Sequence, residues 1–307
     1  MTYGVVLPVG PNSPGNVVDS AVTFAREAAA AGIPAAWLGQ RFDLDAITLA
    51  GIVGREVPEL AVGTSVVPIF ARHPILVASQ AQTAQAAASG RLTLGLGIGA
   101  EAFVEPVFGV PFELPIRRLR EFLTALRSIV DTGTVDFVGE AIIARTPMPA
   151  TVPGGSPLPV LVAAMAPQAL RVTGELADGT LTNLAGPKAL AEHIVPTITA
   201  AGAGRPAPRI VAALPAVVTA DVEAARAAGA AATAFYQRIP SYQRVIELSG
   251  VSEAAELVAI GDEETVAAEV RRYFDAGATE VVFTQTDLTT AEDRERTWRL
   301  IGELAKA

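Results

Sequence analysis

The sequence predicts an α/β protein built as a single (β/α)₈ TIM barrel, with insertions after strand 4 and strand 7. Three observations carry this. A cassette recurs: an Ala-rich amphipathic stretch, then a Gly, then a compact apolar run, at Ala25–Gly39 and Glu269–Thr284 and more loosely at Gln82–Gly97 and Arg171–Asn183. The apolar runs show little alternation, as in parallel strands buried on both faces. The same unit opens and closes the chain, which points to a sheet closed on itself, and the 307 residues suit one barrel (typically about 250) with additions.

Tyr3–Leu7 reads as the first strand and Pro8–Pro14 as the loop at its C-terminal end. Asn16 is placed to cap the first helix, whose apolar stripe includes Val18, Val22, Ala25 and Ala29. Ala35–Leu38 is the second strand, and Asp43 or Asp45 opens a helix running to about Arg55. Leu60–Val66 is the third strand, Pro74 suits the first turn of the next helix, and Leu92–Ile98 is the fourth strand. Gly99–Pro115, rich in Gly, Pro and Phe, reads as a long loop, followed by a helix over Ile116–Val130. Thr134–Ala144 reads as two short strands around Gly139. Val160–Ala163, Thr180–Thr182 and Ile210–Val218 are strands five to seven, with helices over Pro167–Leu176 and Pro187–Ala201 between them. A long helical stretch from Asp221 to about Ile260, broken near Pro240 and Gly250, is too long for one crossover and reads as a second insertion or lid. Asp262 caps the seventh helix, Glu280–Thr284 is the eighth strand and Glu292–Lys306 the last helix. No low-complexity linker divides the chain, so residues 1–307 are expected to form one domain.

Composition narrows the function. Net charge is −9 without long runs, which disfavours a nucleic-acid partner. Half the residues are hydrophobic and there is no cysteine, so disulfides, thiol nucleophiles and Cys-ligated metals are excluded, and redox chemistry needs a borrowed cofactor. The N-terminus reads as a strand, and no apolar stretch approaches 20 residues, so no membrane span and a cytoplasmic location are expected.

Three segments carry the chemistry. In Ser89–Glu101, Gly95, Gly97 and Ala100 satisfy the dinucleotide pattern G-x-G-x-x-A, but they end a fourth strand and open no helix of a first βα unit. Gly97 and Gly99 read instead as clearing space for a flat ring, with relief of crowding inside the barrel as the structural alternative. In Leu60–Pro74, Gly63, Thr64 and Ser65 beside Val66 and Val67 look like a bulge at a strand end, or a plain terminus. In Pro159–Asn183, small residues before Pro167 let free helix N–H groups approach a phosphate, although an ordinary βα turn has the same composition. His73 and His193 lack partners at nucleophile or metal spacing and read as solvated or packing residues. Asp43 and Asp45 read as helix-start residues, and no metal-binding carboxylate cluster stands out.

Taken together, AREAAAAGIPAAWLGQ, GTSVVPIFARHP, SGRLTLGLGIG, PVLVAAMAPQALRVTGELADG and GDEETVAAEVRRYFDAGATEVVF resemble the luciferase-like monooxygenase superfamily, and most the branch using the deazaflavin coenzyme F420. The resemblance implies a cofactor-binding set of Leu38, Gly39, Gln40, Ser65, Val66, Gly97, Ile98, Gly99, Ala164, Met165, Ala166, Pro167 and Gln168. Within it Ser65-Val66 falls where such proteins often carry a non-prolyl cis peptide behind the ring. Gly97, Ile98 and Gly99 would line the ring, and Ala164 to Gln168 would receive the phosphate. Gly39-Gln40 stands where some deazaflavin relatives have Asp-His, so Gln40 and Glu101 are the candidate catalytic residues, with Glu105 as another acid. The expected activity is hydride transfer between F420 and a small, largely apolar substrate, in a homodimer. Alternatives are an FMN-dependent monooxygenase and a non-catalytic ligand-binding barrel. A phosphate-sugar aldolase or isomerase ranks last, because Lys188 and Lys306 are not placed at strand ends.

Overall fold

The computed structural model describes residues 1–11, 13 and 15–307, so Pro14, the expected end of the first loop, lies outside the described residues. Eight parallel strands close a barrel: β1 (Thr2–Val6), β2 (Ala35–Leu38), β3 (Ala61–Thr64), β5 (Leu92–Gly97), β8 (Val160–Ala163), β9 (Gly179–Asn183), β10 (Arg209–Val218) and β12 (Glu280–Thr284). Closure is made by β12 lying parallel to β1, with Val5 opposite Phe283. The fragment β4 (Val67–Pro68) continues β3, and β11 (Ala259–Gly261) extends the far end of β10. Helices surround the barrel, which confirms the predicted (β/α)₈ class.

Local chemistry sets the helix starts. Asn16 accepts the Val18 N–H at 2.9 Å and begins α1 (Val17–Ala30); Asp45 accepts from Thr48 and begins α2 (Ala46–Glu56). Pro74 occupies the first turn of α3 (Pro74–Ala87). At Gly32 and Gly277, φ of +86° and +99° turns the chain out of a helix toward the next strand, the left-handed stop expected from the cassette. Gly179 departs from that pattern. It starts β9, where an added Cβ would lie 2.0 Å from the Arg209 carbonyl oxygen.

The barrel interior is filled by Ala35, Trp37, Leu161, Leu181, Val211, Ala213 and Val282. Its N-terminal end is sealed by the buried Glu280 carboxylate, which accepts from Trp37 Nε1 (3.1 Å) and Arg209 Nη2 (2.9 Å), while Arg209 Nη1 reaches Thr93 Oγ1 (3.0 Å). A buried carboxylate is tolerable only with such partners. The plug leaves the C-terminal mouth as the open end.

The two insertions define what lies over that mouth. Gly99–Pro115 is not a bare loop: it contains α4 (Glu101–Phe108), ended by Gly109 at φ +64°, before α5 (Pro115–Thr132). The antiparallel hairpin β6 (Asp136–Val138) and β7 (Ile143–Arg145) follows as expected. After β10 come α9 (Val222–Thr233) and α10 (Pro240–Leu248), separated before Pro240 as predicted. The α6 helix (Pro167–Leu176) matches its expected bounds, whereas the helix expected over 187–201 contains a π turn at Leu190–Ile194, just before Pro196, which has no N–H. Helices α7 (Pro187–Ala189) and α8 (Val195–Ala201) flank that turn, α11 (Glu263–Asp275) precedes β12, and α12 (Ala291–Leu304) closes the chain.

Small residues of α2 and α3 let these two helices pack closely against each other within the chain. A Cβ at Gly54 would meet Ala88 Cβ at 2.6 Å, and one at Gly51 would meet Ala84 at 3.2 Å. No helix among the described residues is long and apolar enough to cross a membrane.

Candidate active site

The third strand is interrupted where Gly63, Thr64 and Ser65 predicted a bulge. Val62 pairs with Leu92 and Gly63 with Thr93, but beyond the interruption Val67 pairs with Leu96, so the register slips by one residue. The Thr64 hydroxyl bridges the gap, donating to the Gly95 carbonyl (2.9 Å) and accepting the Gly95 N–H (2.8 Å). The Ser65–Val66 peptide is cis.

This bulge explains two of the glycines. A Cβ at Gly95 would lie 1.9 Å from the Thr64 carbonyl oxygen, and one at Gly97 would lie 2.8 Å from Val66 Cγ2. The bare strand therefore accommodates the bulge, the structural alternative raised for this segment. Gly99, at φ +90° and exposed, turns the chain into α4.

Two cavities meet at Val66. The larger, about 810 Å³, is walled by Val66, Pro68, Phe70, Phe103, Val104 and Phe108, with Gly97 and Gly99 on its floor and Gln40, Arg72 and His73 at its side. The smaller, about 280 Å³, lies over the barrel mouth between Ser65, Val66, Ala163 and Met165 on one side and Asn183, Tyr236, Tyr242, Thr284 and Gln285 on the other.

Every charged or imidazole group on the larger cavity has a partner. Arg41 pairs with Asp43 at 2.8 and 3.0 Å, and Arg72 with Asp45 at 3.2 Å. Burial tends to raise the Asp45 carboxyl, but the Thr48 N–H and hydroxyl and the Arg72 guanidinium outweigh it and hold it below its usual value. His73 Nδ1 accepts the Ile75 N–H (3.3 Å) as the cap of α3, which leaves the proton on Nε2, 2.9 Å from the Ile143 carbonyl oxygen. The expected packing role of His73 thus has a specific form, a staple between α3 and the β6–β7 hairpin.

Gln40 lines the cavity, but both of its amide hydrogens are engaged. Nε2 donates to the carbonyls of Arg41 (2.7 Å) and Leu44 (2.9 Å), and Oε1 accepts the Ala46 N–H (3.1 Å). It braces the start of α2 and has no donor left for a substrate. Glu101 is exposed in the first turn of α4 and lines neither cavity, and Glu105 accepts the Phe112 N–H at 2.9 Å. Neither the proposed amide nor the proposed acid is placed to handle a proton.

Of the expected cofactor set, Ser65, Val66 and Met165 face the mouth, and Gln40, Val66, Gly97 and Gly99 face the larger cavity. Leu38 is buried, its carbonyl accepting the Ser65 N–H (2.8 Å), with Gly39 beside the bulge; Ile98 packs against the core. Ala164 is buried and hydrogen-bonded through both backbone groups to Thr180 Oγ1. Ala166 and Pro167 open α6, whose first turn no side chain caps, so its N–H groups are free for an anion. Gln168 is exposed on an outer groove with Arg117, Arg120 and Arg171.

The sequence reading missed Asn183, Tyr236, Tyr242, Thr284 and Gln285. Asn183 Nδ2 donates to the Tyr242 hydroxyl (3.4 Å), and the Tyr236 and Tyr242 rings are 4.7 Å apart. Burial raises both phenols, Tyr242 to about 12, against the opposing hydrogen bond from Asn183. Thr284 Oγ1 and Gln285 Oε1 are buried without a hydrogen-bond partner among the described residues. No group of three His, Asp or Glu suited to a metal occurs among the described residues.

The luciferase-like monooxygenase family matches residues 1–280. The chain belongs to that family. It is 28% identical over 228 residues to a 5,10-methylenetetrahydromethanopterin reductase of Archaeoglobus fulgidus, covering 73% of this chain and 68% of the reductase. An F420-dependent secondary alcohol dehydrogenase in complex with an F420–acetone adduct shares the fold with a TM-score of 0.82 at 16% identity, covering 100% of this chain and 99% of the other. So does the oxygenating constituent of 3,6-diketocamphane monooxygenase from Pseudomonas putida in complex with FMN, with a TM-score of 0.79 at 16% identity and coverage of 99% and 97%. The chain is accordingly an enzyme of the oxidoreductase class.

Proposed function

We propose that this chain is an F420-dependent oxidoreductase that moves a hydride between the deazaflavin and a small, largely apolar organic molecule. The observation that carries the reading is the pair of cavities joined at Val66, with an aromatic and charge-compensated chamber on one side and unpartnered polar atoms on the other. The protein's own groups offer orientation and exclusion of water, not redox chemistry, so the electrons come from a bound carrier.

The residues present fit such a carrier. The pyrimidine edge of a flavin or deazaflavin bears the N–H and C=O groups that the orphaned Gln285 Oε1 and Thr284 Oγ1 need. Val66, Gly97 and Gly99 would hold the ring from one side and Ser65 and Met165 from the other, with the phosphate received at the uncapped first turn of α6. When bound in its reduced form, F420 supplies a hydride from C5. The phenyl rings of Phe70, Phe103 and Phe108 keep water from the reacting centre, and the compensated Arg41 and Arg72 leave no free cation to recruit a charged substrate. A homodimer is part of the same proposal.

FMN is the second reading, favoured by the fold shared with the FMN-bound monooxygenase. Titrating the purified protein with F420 and with FMN, followed by fluorescence, separates them. Preferential saturation by F420, with no oxygen consumption by the reduced complex, supports the deazaflavin reading. Tight FMN binding with oxygen uptake replaces it, and failure to bind either coenzyme removes the proposal.

A further inference from the structure

We infer that Tyr242, steadied by Asn183, donates a proton to the carbonyl oxygen of a substrate that lies in the aromatic chamber and reaches past Val66 to the rim of the mouth cavity beside the coenzyme site, which makes the substrate class a neutral ketone or enone. The inference rests on the oxidoreductase reading for its hydride donor, but its geometry stands apart from it.

The candidates for a proton source reduce to very few. On the larger cavity, Arg41 and Arg72 are ion-paired guanidinium groups, His73 is held by both ring nitrogens, and Gln40 has both amide hydrogens taken. Glu101 lies outside both cavities. On the mouth cavity the phenols are Tyr236 and Tyr242, far stronger acids than the Ser65 and Thr284 hydroxyls beside them.

Tyr242 is the better placed of the two. Asn183 Nδ2 donates to its hydroxyl oxygen at 3.4 Å, so the oxygen's acceptor role is met and its hydrogen is free to donate. That bond also favours the phenolate left behind when the proton leaves. The Tyr236 ring, 4.7 Å away, backs the Tyr242 ring, and both pack on the small apolar cluster of Leu184, Ile246, Ala254 and Leu257 that anchors the insertion. Because burial keeps Tyr242 protonated well beyond neutral pH, it serves as an acid and not as a base.

The step balances. A reduced deazaflavin or flavin bound at the site would supply a hydride to the carbonyl carbon, and the C=O π pair would then move onto oxygen. A new O–H bond forms there as the Tyr242 O–H bond breaks. The tyrosinate, still hydrogen-bonded by Asn183, recovers its proton from water.

The test uses the full chain and 2-cyclohexen-1-one as probe, first without coenzyme. Infrared difference spectra should show the bound carbonyl stretch shifted to lower wavenumber in the wild type. Tyr242→Phe should abolish that shift and weaken binding by about tenfold, the equivalent of one hydrogen bond, while Tyr236→Phe leaves the shift in place. Unchanged melting temperature and unchanged F420 and FMN titrations in Tyr242→Phe show that the fold and the coenzyme site survive. With reduced coenzyme, turnover of the enone should fall by about 100-fold or more in that variant. No probe binding by the wild type, or a shift that persists in Tyr242→Phe, overturns the assignment. Loss of both coenzyme titrations in the wild type overturns the oxidoreductase reading instead, and the infrared result still decides the carbonyl contact.

Discussion

Alanine at Gly95 and at Gly97 should have very different consequences, although the two residues are neighbours on the same face of β5. At Gly95 the new methyl would lie 1.9 Å from the Thr64 carbonyl oxygen, a backbone atom that no side-chain rotation can move aside. The strands must part by more than 1 Å, which strains the packing by about 1–3 kcal/mol and breaks two Thr64 hydroxyl bonds worth about 0.5–1.5 kcal/mol each. The unfolded chain loses entropy on Gly→Ala, which returns about 0.4–1 kcal/mol. The net loss is about 1–6 kcal/mol, centred at about 3 kcal/mol. At Gly97 the methyl would meet Val66 Cγ2 at 2.8 Å, the end of a side chain bordered by two cavities, and Val66 can swing into them. That change should cost about 1 kcal/mol. At about 2 °C per kcal/mol for a chain of this size, differential scanning fluorimetry should find Gly95→Ala about 6 °C below wild type and Gly97→Ala about 2 °C below. Gly97→Ala should nonetheless bind coenzyme more weakly, because the displaced Val66 enters the proposed ring site. A Gly95→Ala protein that melts with the wild type, or below which Gly97→Ala falls, refutes the account of the bulge.

Two further outcomes follow from single carboxylates. Glu121 on α5 accepts the N–H groups of Glu140 (3.0 Å), Ala141 (2.8 Å) and Ile142 (2.8 Å), so Glu121→Ala should lose about 3 kcal/mol. Hydrogen exchange should show those three amides at least about tenfold faster, and unchanged protection would count against the tether. Asp45 has its folded pKa held below the unfolded value, so its stabilisation is fully present above the unfolded pKa and lost as pH falls through the folded one. Asp45→Asn should therefore be less stable than wild type near neutrality, and the gap between their urea midpoints should shrink as pH falls below about 4. A gap independent of pH would mean that the charge of Asp45 contributes nothing at α2.

The barrel was legible because its signals are local. Ala35–Leu38, Val160–Ala163 and Glu280–Thr284 match their expected strand bounds, since runs buried on both faces have no alternation to blur their ends. The bulge was legible as Gly-Thr-Ser against β-branched neighbours, but its one-residue slip depends on pairing with β5, which no local pattern encodes. Helix α4 was hidden by Gly, Pro and Phe, residues of low helix propensity. Gln40 was misjudged for another reason: composition shows a polar side chain at a strand end, not that three backbone groups between residues 41 and 46 already claim it. Asn183 and Gln285 carried a usable signal, being polar residues at the ends of barrel strands, where such folds place their chemistry. Tyr236 and Tyr242 carried none, because only the folded insertion brings them over strands remote in sequence.

Labour divides accordingly between barrel and insertions. The strands contribute apolar walls and backbone, and their polar side chains at the N-terminal end are tied up in the Glu280–Arg209–Thr93 plug. What remains free for a ligand sits on strand tips or on the segments laid across them. Phe103 of α4 and Phe235 of the second insertion touch with ring centroids 5.4 Å apart, so the two insertions meet above the cavities they bound. Phe42 joins the same line of rings, 6.2 Å from Phe103, and is itself largely exposed. Such a contact can separate without disturbing the barrel core, since Phe103 and Phe235 lie outside the cluster that fills the interior. On the proposed reading, substrate choice would change through the insertions alone, while the floor at Val66, Gly97 and Met165 stays fixed by the packing of the strands.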